Sequence, residues 1–262
     1  VGGEREACIT IDATFVIIRG FTLIGGRNGI RIYGDSNIVI EDCDISGWGR
    51  LRADPLVPDH GENYNGAVFS NNEDLKRVVV QRTRMHNPAT ASNSWGQAHP
   101  SGPQCVVYWN SRGNHVFRYN EGWSDTTHYF NDIMGAGSNS GVTGFPGADS
   151  DIYGNYFANS WDDGIESEGG NRNVRVWNNY VTHTLMAIAN AATVIGPYYV
   201  WRNVCGTSYT PPGSEWDMTH GNFMKMGYAN AESYMTGHMY MFHNTVYQVN
   251  DEGYSGLGGS GR

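Results

Sequence analysis

One pattern constrains this chain more than any other: short β-rich runs close, again and again, on the same polar position. The runs starting at His115, Asp151, Val174, Tyr199 and Tyr240 end on Asn120, Asn155, Asn179, Asn203 and Asn244. Three earlier runs, Val16–Phe21, Ile38–Cys43 and Val78–Thr83, have the same shape. Neighbouring closing positions lie 22 to 41 residues apart. Repeats of that period build solenoids, propellers or arrays, and a propeller blade needs about 40 residues. The 22-residue interval excludes the propeller.

The asparagine column has a physical reason. Stacked parallel strands place equivalent side chains about 4.8 Å apart. An asparagine amide both donates and accepts, so it can bond up and down such a stack and to turn backbone. It also tolerates the left-handed conformation of a sharp turn. The expected fold is therefore all-β: a right-handed parallel β-helix with an asparagine ladder, its hand following that of parallel crossovers. Insertions fall at 47–64, 86–101, 137–148 and 206–219, and loops of this kind wall the binding face of a solenoid. No linker or shift of composition divides residues 1–262, so one domain is expected. Gly253–Arg262 has the pattern of a further coil beginning, as in one piece of a longer solenoid.

Composition agrees with this picture and excludes others. Of 262 residues, 35 are glycine and 25 asparagine, which suits a chain built of turns. Aromatic residues at 13% argue against disorder. No run of eighteen apolar residues exists, so no membrane-spanning helix is expected. A net charge of -9 without a basic stripe argues against a nucleic-acid partner. Cys8, Cys43, Cys105 and Cys205 lie far apart with no CxxC pair, which leaves buried free thiols or one or two disulfides.

The densest chemistry is the acidic stretch from Trp161 to Glu168. With period-two alternation Ile165 and Ser167 point inward, and Glu166 and Glu168 point outward. Asp162 and Asp163 occupy the turn into that strand, and Asp132 sits one rung earlier. Oxygen ligands from adjacent rungs suit Ca²⁺. The same acids also fit a solvated turn, or the paired carboxylates of a glycoside hydrolase, Asp163 with Glu166 or Glu168. Lys225, the only lysine after Lys76, lies in Gly221–Gly227 among inward-facing apolar residues and so faces outward on the same sheet.

Asn159-Ser160-Trp161-Asp162-Asp163-Gly164-Ile165-Glu166 resembles the Asn-Ser-x-Asp-Asp-Gly-x-Asp signature of family-nine pectate lyases. Gly221-Asn222-Phe223-Met224-Lys225-Met226-Gly227 is similar to their Gly-Asn-Gly-Phe-Lys-Leu-Gly segment. The resemblance implies a β-helix that holds Ca²⁺ through Asp162, Asp163 and Glu166, with Asp132 as a fourth ligand, and that uses Lys225 as base. Glu166 stands where the signature has aspartate, and a complete coil separates the cluster from Lys225. In the implied reaction a base takes the C5 proton of a uronic acid and the C4–O bond breaks. A lysine base must be neutral, and nearby Ca²⁺ and desolvation are expected to lower its reference pKa of ~10.4. His128, Trp161, Glu168 and His220 are expected to touch substrate. The exposed aromatics Trp109, Trp123 and Trp161 suit stacking on sugar rings. The expectation is thus a monomeric enzyme, secreted or at the cell surface or in the periplasm, acting on a polysaccharide. A non-catalytic glycan-binding or structural β-helix is the alternative from a different class.

Overall fold

The computed structural model describes residues 6–51, 61–135, 143–190, 195–208, 222–226, 237–247 and 257–258. Among them are 25 strands and no helix, so no helix is long and apolar enough to cross a membrane. The strands form three parallel sheets, and each coil gives one strand to each sheet in turn. The first sheet has nine strands, from Ala7–Ile11 to Leu257–Gly258. The second has eight, from Val16–Arg19 to Met239–Phe242, and the third eight, from Thr22–Ile24 to Thr245–Val246. The protein is a parallel β-helix.

Constant register turns the sequence alternation into columns. On the first sheet Ile30, Val68, Val106, Met134, Ile165, Ile188 and Met224 stack inward and are essentially inaccessible. Each such side chain contributes about 1.5–3 kcal/mol by leaving water. One residue further along each strand lies the outward column: Arg31, Phe69, Val107, Gly135, Glu166, Ala189 and Lys225. Ile165 therefore faces in and Glu166 out, as the alternation predicts.

The asparagine ladder runs as expected from Asn120 to Asn244. Each amide Nδ2 donates to the Oδ1 of the next rung at 2.9–3.0 Å, and each of these Oδ1 atoms also accepts the preceding asparagine's backbone N–H at 3.0–3.1 Å. The same Nδ2 groups cap the carbonyls of Val80, Phe117, Ile152, Val176 and Val200. Thr83 and Cys43 continue the line, Thr83 donating its N–H to Asn120 Oδ1 and Cys43 its N–H to Thr83 Oγ1. The left-handed turn residue is not the asparagine, contrary to the sequence expectation. It is the residue before: Gly20, Asp42, Arg82, Tyr119, Gly154, Asn178, Arg202 and His243 all have φ between 49° and 75°. That residue makes the corner; from Cys43 to Asn203 the side chain that follows it is buried, while Phe21 in the first coil is exposed.

None of the four cysteines is in a disulfide and three are buried, so the disulfide alternative does not hold. In chain order the insertions fall on connections into and out of the first sheet. Those at 47–64, 86–101 and 206–219 lie on connections from the third sheet to the first, and that at 137–148 leads from the first to the second.

Replacing Asn179 by alanine removes the acceptor of the buried Asn155 N–H and the donor to the Ile152 carbonyl. Buried polar groups left in that state cost about 1–3 kcal/mol each. Asn179→Ala should therefore lower stability by about 2–5 kcal/mol in urea unfolding; a loss below about 1 kcal/mol would show that the ladder is not what holds the corner.

Candidate functional site

Three strands of the first sheet and the turns before them build one acidic centre. Asp132 precedes Met134–Gly135, Asp162 and Asp163 enter Asp163–Glu166, and Glu168 follows it. Asp132 Oδ1 accepts the Asp163 backbone N–H at 3.0 Å, and its Oδ2 accepts from Gln104 Nε2 at 3.3 Å. One oxygen each of Asp132, Asp162 and Asp163 lie within 4.8 Å of one another, and so do one each of Asp163, Glu166 and Glu168. All five carboxylates are buried.

Lys225 enters from two rungs away, on Asn222–Met226. Its Cα is in register with Ala189 and, beyond that, with Glu166. Because the intervening rung carries only a methyl group, the lysine side chain lies across it. Lys225 Nζ reaches Asp163 Oδ2 at 2.8 Å and Glu168 Oε1 at 2.9 Å. On the other flank of Glu166 the column holds Gly135, where a Cβ would collide with Glu166 Oε2 and come within 3.4 Å of Gln104 Oε1. Small residues on both neighbouring rungs thus leave room for the charged groups.

Burial and mutual repulsion perturb these groups strongly. Burial, then the charge of Asp163, pushes the pKa values of Asp132 and Asp162 well above the carboxylate range. Burial, then Asp132, does the same for Glu166. Burial pushes the Lys225 ammonium down, but Asp163, Glu168, Asp162 and Glu166 together raise it well above the ordinary lysine value. Without a cation, the surrounding carboxylates outweigh desolvation and favour the protonated form of Lys225; the lowered pKa expected from the sequence is that of the Ca²⁺-bound site.

The donor set fits a hard metal ion. Five buried carboxylates face a single lysine, and Asp163 Oδ1 is buried with no hydrogen-bond partner. Divalent cations of this class bind carboxylate and carbonyl oxygens. The cluster can hold a metal ion.

The acids open onto a cleft of about 190 Å³ lined by Tyr64, Trp95, His99, Gln104, Asp132 and Lys225, among others. Tyr64, Trp95 and His99 come from the first two insertions, which do wall this face. His99 Nε2 lies 4.0 Å from Asp162 Oδ2. No sequence pattern marks these three, since loop residues carry no repeat register; Gln104 left a weak sign, a polar side chain opening an apolar strand.

The structure thus brings together Asp132, Asp162, Asp163, Glu166, Glu168 and Lys225. It places two other expected residues elsewhere. His128 is half-exposed in its own turn, bonded to Thr127 Oγ1 at 2.9 Å and Asp125 Oδ1 at 3.0 Å. Trp161 packs on Tyr129 with ring centroids 4.5 Å apart. Neither lines the cleft. His220 lies outside the described residues. A scan of protein-family models returns no match for the chain, and a search of curated proteins returns none.

The raised carboxyl pKa values have a consequence for stability. Below the ordinary carboxylate range, near pH 4, Asp132, Asp162 and Glu166 are protonated in both states and their contribution is full. It is lost as pH rises through their raised folded values, because the folded state then holds protons that the unfolded chain has released. A bound cation competes with those protons. Excess Ca²⁺ should raise the Tm more at about pH 7.5 than at about pH 4.5. Thermal unfolding with Ca²⁺ or EDTA checks this, and equal shifts at both pH values would rule out the cluster as the binding site.

Proposed function

We propose that this protein is a secreted, Ca²⁺-dependent lyase that cleaves a uronic-acid-containing polysaccharide by β-elimination. The observation that carries the reading is the reach of Lys225 across Ala189 into a buried carboxylate set able to hold a cation. A cation site and a potential strong base side by side in an open cleft are what proton abstraction beside a carboxylate requires. The likeness of the two short segments to pectate lyases supports the same chemistry.

Asp132, Asp162, Asp163 and Glu166 would hold Ca²⁺, which when bound supplies the charge that steadies a uronate carboxylate as negative charge develops beside it. Lys225 removes the C5 proton, and the C4–O bond breaks as the C4–C5 double bond forms. Glu168, fully buried and bonded to Lys225, positions the amine and does not meet the sugar. The lysine must first lose its own proton. Once Asp162, Asp163 and Glu166 serve as ligands, three of the four carboxylates that raise its pKa are neutralised, and burial pushes it down.

A glycoside hydrolase fits this arrangement less well. It needs two carboxyl groups facing the sugar, whereas Asp163 and Glu168 are fully buried and turned onto Lys225. A polymeric substrate is met outside the cytoplasm, which supports a secreted or surface-exposed enzyme.

Lys225→Arg preserves the positive charge but removes a usable base. It should lower turnover about 10²- to 10⁴-fold, read as the ultraviolet absorbance of unsaturated products from a panel of uronate polymers. New reducing ends without that absorbance would mean hydrolysis instead. Binding with neither signal would leave a glycan-binding β-helix.

A further inference from the structure

The outward column of the first sheet continues past the acidic centre. Three and four rungs toward the chain start from Glu166 it carries Phe69 and Arg31, about 14 and 19 Å away at the inter-strand spacing. There a second and larger cleft opens, of about 610 Å³, lined by Arg27, Arg31, Tyr64, Phe69 and Trp109 among others. The Arg31 guanidinium lies over the Tyr33 ring at 4.7 Å and the Phe69 ring at 5.3 Å. Arg31 Nη1 donates to Glu6 at 3.2 Å, while its Nε is buried with no hydrogen-bond partner. Tyr64 and Trp109 meet with ring centroids 4.4 Å apart, and Trp109 is 37% exposed.

The two clefts are joined. Asn63 and Tyr64 line both. Asn131, the neighbour of Asp132, donates its Nδ2 to Asn63 Oδ1 at 3.0 Å. Tyr64 has φ 61°, a left-handed backbone that costs a bulky residue on the order of 1–3 kcal/mol. That conformation sets the ring against Trp109 at the junction.

We propose that this second cleft is a remote subsite that binds further sugar residues of the same polysaccharide chain that reaches the acidic centre. The inference rests on the glycan reading of that centre. Trp109 supplies an exposed apolar face for sugar rings, Phe69 underlies the Arg31 guanidinium, and Arg27 and Arg31 supply donors to hydroxyl or carboxylate oxygens. The charge lining this cleft is balanced, Arg27 and Arg31 against Glu62 and Glu73. Such a lining selects for a ligand with apolar faces and many hydroxyls rather than for a bare polyanion. Continuity with the acidic cleft along one sheet fits a linear polymer.

The test compares Trp109→Ala and Arg31→Gln with the unaltered protein on oligogalacturonates of increasing length. Turnover of the shortest cleavable oligomers should be unchanged. KM for oligomers long enough to reach both clefts should rise about five- to tenfold, the scale of one lost stacking contact. Equal effects at every length, or none, would overturn the subsite. A second measurement separates this inference from the lyase reading: quenching of tryptophan fluorescence by polygalacturonate and by a neutral polymer, with no turnover required. Binding weakened by Arg31→Gln in a protein that cleaves nothing would retain the subsite and remove the lyase. No binding to either polymer would overturn both. Circular dichroism confirms that each variant is folded.

Discussion

A slip of one residue between neighbouring coils would put Glu166 in the core and Ile165 on the face of the first sheet. Parallel strands have a side-chain period of two, so register decides everything that the first sheet presents. Hydrophobic burial alone penalises such a slip, but it is non-directional and tolerates variation in a chain with insertions of different length. The asparagine ladder adds a directional constraint. Each Oδ1 receives both an amide and a backbone N–H from the rung before, and each Nδ2 also caps a carbonyl. Coils with 24 residues between ladder positions and coils with 41 then close on the same geometry. Insertions can vary because the corner does not.

Held to that register, the acidic centre becomes a problem of like charge in low dielectric. Five buried carboxylates cannot all ionise without compensation, and the raised pKa values of Asp132, Asp162 and Glu166 express this. The ion pairs of Lys225 with Asp163 and Glu168 compensate in part. They exist only because residue 189 is alanine; any longer side chain there would stand between Lys225 and the rung that holds the acids. Gly135 makes the corresponding room on the other side. The site is thus two acid-bearing turns, one lysine and two nearly empty positions between them. This arrangement can hold a cation, and without one it retains like-charge repulsion in a buried place.

Sequence patterns revealed what repeats and concealed what does not. The ladder was legible because one residue type recurs at one offset. Its turn partner was not, since Gly20, Asp42, Arg82, Tyr119 and His243 share a backbone conformation but no side-chain chemistry. The acids and Lys225 stood out in a chain with few charges, and alternation placed them on one face. Sequence separation made the intervening coil look like a barrier to Lys225. In three dimensions it is one strand spacing, crossed over a methyl group. His128 bonds Asp125 and Thr127 within its own turn, and Trp161 packs on Tyr129 of the preceding coil. Tyr64, Trp95 and His99 arrive from insertions, whose course no repeat predicts.

The first sheet also explains why a chain of net charge -9 can be read as acting on an acidic polymer. Its outward column is not uniformly acidic. It begins with Thr10, runs through Arg31, Phe69, Val107 and Gly135, and reaches Glu166 and Lys225 only in the later coils. Bare carboxylates at the acidic end would repel a polyanion, and a cation there would reverse the local field. On the proposed reading, the charge-balanced aromatic end would need no cation to hold sugar. Contacts made there would be roughly the same in ground and transition state, adding affinity without accelerating chemistry. A solenoid separates these tasks along its axis, because each rung adds one independent position to the same face.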